Sequence, residues 1–183
     1  MTKQPPSVNI IEMKRLVPLG VMGLGLLLIL GTAGFWGYNQ RVQHPSPAPL
    51  PERVLDLSLA QSLMAEEAIA EFTRLHGNDF SLTSGAVGMY GADHSVTLWV
   101  GGAPAKFAAG RMLAAMRDKI ASTSESSPFS PISEWQDGSR TVYELDGMGQ
   151  KHFYFQSEKM IVWLAIDPAR ADAALAQILM FYP

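Results

Sequence analysis

The sequence of 183 residues contains no cysteine. Disulfide bonds, a thiol nucleophile and the cysteine-linked lipid of a lipoprotein are therefore excluded. Two catalytic strings are also missing, because neither Gly-x-Ser-x-Gly nor His-Glu-x-x-His occurs in the chain. We accordingly predict no catalytic residues, no metal ligands and no cofactor, and we favour a non-catalytic protein.

Histidines are the remaining residues from which a catalytic or metal site is often built, and the chain has four. No two of them fall within one predicted helix or strand at the spacing of metal ligands. The alternative is a site assembled only in the fold, from His76, Asp79, His94 or His152. Such a site would make the protein a membrane-anchored enzyme.

Basic residues are scarce in the larger, C-terminal part of the chain. From Glu52 onward ten Lys and Arg stand against sixteen Asp and Glu, a formal charge of −6, whereas the whole chain has −3. Proteins that bind nucleic acid need a basic surface for the phosphate backbone. The sequence therefore predicts no nucleic-acid partner.

One long apolar run extends from Leu16 to Tyr38 and contains no charged residue and no Asn or Gln. As a helix, this run would reach roughly 34 Å, enough to cross a hydrocarbon core of about 30 Å. Trp36 and Tyr38 at its far end are typical of a membrane interface. We therefore predict a single-pass transmembrane helix over 16–38, whose partner is the lipid bilayer.

A cleavable signal peptide is the alternative for this run, because 1–15 is a basic segment and 16–30 has the character of a signal-peptide core. The apolar residues continue beyond a conceivable cleavage point at Gly34, through Phe35 and Trp36. This continuation favours a retained signal-anchor.

Orientation is predicted from the basic residues that flank the run. Lys3, Lys14 and Arg15 precede it, while Arg41 and Arg53 follow it. Because basic residues are enriched on the cytoplasmic side, this small excess favours a cytoplasmic tail over 1–15 and an extracytoplasmic C-terminal domain. The opposite orientation, in which the same domain faces the cytoplasm, is the alternative.

The segment 39–55 carries prolines at 45, 47, 49 and 51. Proline restricts φ and removes the backbone N–H, so this composition predicts an extended, polyproline-like linker. One α+β domain over 56–183 then follows, long enough for a single buried core.

Periodicity predicts the elements of that domain. We expect an antiparallel sheet of about five strands packed with three helices, in the order αββαβββα, and a mobile loop over 122–131. Asp167 is predicted to be the N-cap of the last helix, with Pro168 at its first position. The predicted helices span 62–76, 105–121 and 168 onward, and the predicted strands span 86–90, 95–100, 140–146, 151–156 and 160–166.

Alternation along the strands sends an aromatic set to one face of this sheet. Its members are Trp99, His152, Tyr154 and Trp163, and Tyr90 is predicted to join them. An exposed face of this composition would bind a protein partner or a second copy of the chain. Covered by a helix, it would be a second core layer. The sequence thus predicts a membrane-anchored binding, sensing or assembly domain.

Overall fold

The computed structural model describes residues 10–76, 81–122 and 127–183. The chain divides into two compact units, Met1–Gln40 and Arg41–Pro183. Within the described ranges it contains four α-helices and nine strands. The predicted α+β class and largely antiparallel sheet are confirmed, but the predicted count of about five strands is too low.

The N-terminal apolar helix, α1, spans Ile10–Gln43. Its stretch Pro18–Gln43 is long and apolar enough to cross a membrane, and its most apolar window is not buried within the protein. An exposed apolar surface distinguishes α1 from the core helix of a soluble domain, which hides such residues. The structure therefore confirms an apolar N-terminal helix, which extends beyond the predicted bounds of 16–38.

The segment 39–55 differs from the predicted extended linker. Its first residues continue α1 to Gln43. Pro47 then lies in strand β1 (Ser46–Pro47), and Arg53 and Val54 form strand β2 (Arg53–Val54). Ala48 and Val54 are buried. Proline lacks an N–H donor but keeps its carbonyl acceptor. This segment uses two such carbonyls to bind tyrosine hydroxyls of the folded unit.

The remaining elements follow β2 along the chain. They are β3 (Leu57–Met64), α2 (Glu66–His76), β4 (Ser84–Tyr90), β5 (Val96–Gly102), α3 (Lys106–Ser122), β6 (Phe129–Asp137), β7 (Arg140–Gly147), β8 (Gln150–Ser157), β9 (Met160–Ile166), a 3₁₀ turn (Pro168–Arg170) and α4 (Ala171–Phe181). In space the strands run β2-β3-β4-β5-β9-β8-β7-β6, and β1 pairs in parallel with the start of β4.

Two predicted boundaries are wrong. The first helix of the domain was predicted to begin at Ser62, but Ser62 lies inside β3 opposite Gly88, and α2 begins only at Glu66. The predicted loop over 122–131 gives way to β6 from Phe129. Asp167 is a cap, because its carboxylate accepts a hydrogen bond from the Ala169 N–H at 2.8 Å, but it caps the 3₁₀ turn Pro168–Arg170, and α4 begins only at Ala171.

The sheet is covered on both faces, and each cover has its own buried cluster. The first face packs against α4 and against residues 45–55, which we call the proline segment, through residues such as Leu98, Phe155 and Ile178. The second face packs against α3 through Leu113 and Tyr154. α2 lies on this second face too, because a Cβ added at Gly85 would meet Ala68, Ile69 and Phe72 within 3.3 Å.

Candidate functional site

A row of aromatic rings crosses the second face of the sheet. Tyr143 stacks on Tyr154, with ring centroids 4.8 Å apart and planes 14° apart, and Tyr154 stacks on Trp163 at 5.1 Å and 16°. Trp99 lies opposite Trp163 in the pairing of β5 with β9. Directly opposite residues share a face of the sheet, so the row spans four neighbouring strands.

His152 joins this row through a hydrogen bond from Trp163. The Trp163 indole Nε1–H can only donate, and it lies 3.1 Å from His152 Nδ1. Nδ1 is therefore the unprotonated nitrogen, and Nε2 carries the proton that it donates to the Gly147 carbonyl at 3.0 Å. Only the neutral imidazole satisfies both partners.

The surroundings of His152 also favour the neutral imidazole. The side chain is only 2% exposed, and the Phe129 ring packs against it in a T-shaped arrangement, with ring centroids 4.9 Å apart. Burial lowers the pKa of His152 because the charged imidazolium loses its hydration, although the Gly147 hydrogen bond and Asp146 act in the opposite direction. Burial likewise raises the pKa of Tyr154 to about 12.

Four of the five predicted site residues lie together. Trp99, His152, Tyr154 and Trp163 share the second face, and α3 covers part of it, so that Tyr154 is buried while the two tryptophans stay partly exposed. Tyr90 was also predicted on this face. It instead lies opposite Val96, is buried in the first face, and donates its hydroxyl to the Pro51 carbonyl at 2.9 Å.

A cleft of about 260 Å³ opens beside these rings. Trp99, Gly101 and Trp163 contribute to it from neighbouring central strands of the sheet, and α2 and α3 contribute from above. At Gly101 an added Cβ would lie 3.4 Å from both methyl groups of Leu82, so glycine keeps this part of the cleft open. The lining residues are Ile69, Phe72, Thr73, Leu82, Trp99, Gly101, Met112, Met116, Phe129, Met148, His152, Ile161 and Trp163.

The lining determines what chemistry the cleft supports. Among its described residues there is no Asp, Glu, Lys or Arg, and both nitrogens of His152 are already hydrogen-bonded. The Trp99 indole N–H has no hydrogen-bond partner within the described chain, and Thr73 adds a hydroxyl. The cleft therefore offers a large apolar surface with few polar groups, as small-molecule sites commonly do.

Two residues of the alternative catalytic site, His94 and His152, differ in their surroundings. His94 is exposed in the β4–β5 turn with a φ of 55°, whereas His152 is buried under Phe129. Asp79 and the side chain of His76 lie outside the described part of the chain. Over 10–76, 81–122 and 127–183 no three His, Asp or Glu side chains are grouped as metal ligands.

Comparison with known proteins gives no match: no protein-family model, no curated protein and no solved structure resembles the chain.

Sequence reasoning placed the helix residues of the cleft within predicted helices but gave them no binding role. Ile69, Phe72, Met112 and Met116 lie in the predicted helices 62–76 and 105–121, and all four are only partly buried. The signal for the cleft is the Gly101–Gly102 pair, which directly follows the predicted strand 95–100 and forms the end of β5.

Proposed function

We propose that the protein is a membrane-anchored, non-catalytic binding domain, and that the cleft between α2 and α3 holds a neutral apolar ligand. One observation carries this proposal: the cleft is lined by tryptophan, phenylalanine, methionine and aliphatic side chains, with no charged residue among its described lining. A buried ion without a counter-charge would be strongly disfavoured there. A neutral ligand avoids that penalty.

The methionines suit a binding role. Met112 and Met116 come from α3, and Met148 comes from the β7–β8 turn, where its side chain is 70% exposed. Methionine side chains are unbranched and polarizable, so they adapt to ligands of different shape. An open apolar cleft on a folded unit is also a costly surface to leave in water, and a ligand would cover it.

Anchoring follows from α1. We infer that the helix is retained as a single membrane span, with 1–15 on the cytoplasmic side and the folded unit outside. The length and exposed apolar surface of α1 support a span, and the small excess of basic residues before 16–38 supports this orientation. Beyond β1 the chain carries no second helix of this kind among the described residues.

A catalytic role gains no support from His152. A general base needs a free nitrogen within hydrogen-bonding distance of substrate. In this site Nδ1 accepts from Trp163 and Nε2 donates to Gly147, so neither nitrogen is available. The imidazole instead holds the Trp163 ring in place beside the cleft.

Methyl NMR of the full chain in lipid nanodiscs tests the proposal, with 1-hexanol as the neutral apolar probe. The methyl groups of Met112, Met116 and Met148 line the cleft, whereas Met64 and Met160 pack against the first face. We expect saturable shifts at the first three and none at the other two. Equal, non-saturating shifts at all five would show only partition into lipid and would contradict a binding site.

A further inference from the structure

One end of the sheet receives the chain as it enters the folded unit, and we call it the entry end. Ser46 of β1 pairs there with Ser84, the first residue of β4. Ser84 lies opposite Gly102, and Gly102 lies opposite Met160. The start of β4, the end of β5 and the β8–β9 turn are therefore all at the entry end.

Two helix ends lie at the entry end as well. The first turn of α3 is held to the β8–β9 turn, because Lys106 Nζ lies 2.9 Å from Glu158 Oε1 and the Lys106 carbonyl accepts from Gln156 Nε2 at 2.9 Å. The chain beyond α4 is held to the same turn, because Ser157 Oγ donates to the Pro183 carbonyl at 2.7 Å.

Large apolar side chains are exposed on both helix ends. Phe107 in the first turn of α3 is 73% exposed, and Met180 and Phe181 in the last turn of α4 are 77% and 42% exposed. The two helices cover opposite faces of the sheet, so these side chains flank the entry end on both sides. Exposed apolar groups gathered at one end of a folded unit indicate a contact surface.

We propose that the entry end rests on the phospholipid bilayer, with Phe107, Met180 and Phe181 in the interfacial layer. The inference rests on the membrane anchoring proposed above. Only His44 and Pro45 separate the last residue of α1 from β1, so the entry end is continuous with the helix that the membrane would hold. This continuity favours the bilayer over a protein partner.

The charges at the entry end fit this surface. Lys106 and Lys159 are exposed there, and their long side chains carry amines that reach lipid phosphates while the neighbouring aromatic ring sits among the headgroups. Glu158 neutralises part of this charge through its ion pair with Lys106. Glu66 and Glu67 at the start of α2 are also exposed near this end. The contact is therefore predominantly apolar.

Single-cysteine labelling tests the proposal cleanly because the chain has no cysteine of its own. An environment-sensitive nitrobenzoxadiazole label is attached at Phe107→Cys, Ala92→Cys or Leu27→Cys of the full chain in vesicles of phosphatidylcholine and phosphatidylglycerol. Ala92 is the control, because it is exposed and outside the cleft but lies in the β4–β5 turn at the opposite end of the sheet. Leu27 lies inside α1 and reports on insertion.

The labels at 107 and 27 are expected to emit at shorter wavelength and to be quenched by brominated lipid, whereas the label at 92 is expected to do neither. A label at 107 that behaves like the one at 92, while 27 is quenched, overturns docking but leaves the anchor intact. A blue shift at 107 without quenching overturns it in favour of a protein contact. No quenching at 27 overturns the anchor, and docking with it.

Discussion

The Trp163 indole N–H and His152 Nδ1 lie 3.1 Å apart, and this single contact sets the protonation state of the site. A protonated Nδ1 would place two donors face to face. The imidazole must therefore stay neutral while Trp163 keeps its position beside the cleft, and the shape of the cleft is linked to the protonation of a buried histidine.

Stability should fall as the pH is lowered. The folded state has a pKa for His152 below the ordinary value of 6.5, whereas the unfolded chain titrates at that value. Between the two the unfolded chain binds more protons, so the free energy of unfolding decreases as pH falls through 6.5 towards the folded-state pKa. Thermal unfolding in nanodiscs, from neutral pH to about pH 5, measures this loss.

His152→Gln is the control for this pH dependence. Its amide can accept from Trp163 and donate to Gly147 without titrating, so the variant should lose less stability over the same range. Parallel curves for the two proteins would show that other groups carry the pH dependence.

The Trp163 hydrogen bond can be removed while an aromatic ring is kept at this position. Trp163→Phe keeps an aromatic ring next to Tyr154 but leaves the buried Nδ1 of His152 without a donor, so we expect a loss of about 1–3 kcal/mol. Trp99→Phe is the matched variant, because the Trp99 N–H has no partner within the described chain. Equal losses in denaturant titrations of the two variants would argue against the bond.

The proline segment should depend on two tyrosine hydroxyls. Tyr182 donates to the Pro49 carbonyl at 2.6 Å, and Tyr90 donates to the Pro51 carbonyl at 2.9 Å. Tyr182→Phe and Tyr90→Phe should each cost about 1 kcal/mol and speed proteolysis within 45–55. Cleavage at the wild-type rate in both variants would mean that apolar packing alone holds the segment.

Local patterns predicted much of this fold because they depend on neighbours in sequence. The apolar run of α1, the alternation in β5 and β9, and the Asp167 cap all follow from such patterns. β6 was missed because its first residues, FSP, and the proline before them favour a loop. Proline is nevertheless tolerated on an edge strand, and Pro131 lies in β6, which among the described strands pairs only with β7.

The sequence predicted the site only where the alternation of side chains along a strand decides which face a residue occupies. This alternation placed Trp99, His152, Tyr154 and Trp163 on one face, and the structure agrees. Tyr90 was misplaced because its face depends on the register of the β4–β5 hairpin, which sets it opposite Val96. The gap between α2 and α3 depends on how two helices pack on the sheet, and no local pattern encodes that.

The affinity of 1-hexanol for Gly101→Val, compared with wild type and Thr97→Val, tests the central claim most directly. Both substitutions place a valine in β5, but only position 101 lines the cleft. We predict that the Met116 methyl shift saturates at similar concentrations in wild type and Thr97→Val, and at least about tenfold higher in Gly101→Val, a difference of about 1.4 kcal/mol. Equal affinities in three folded proteins would contradict the assignment of the cleft as the binding site.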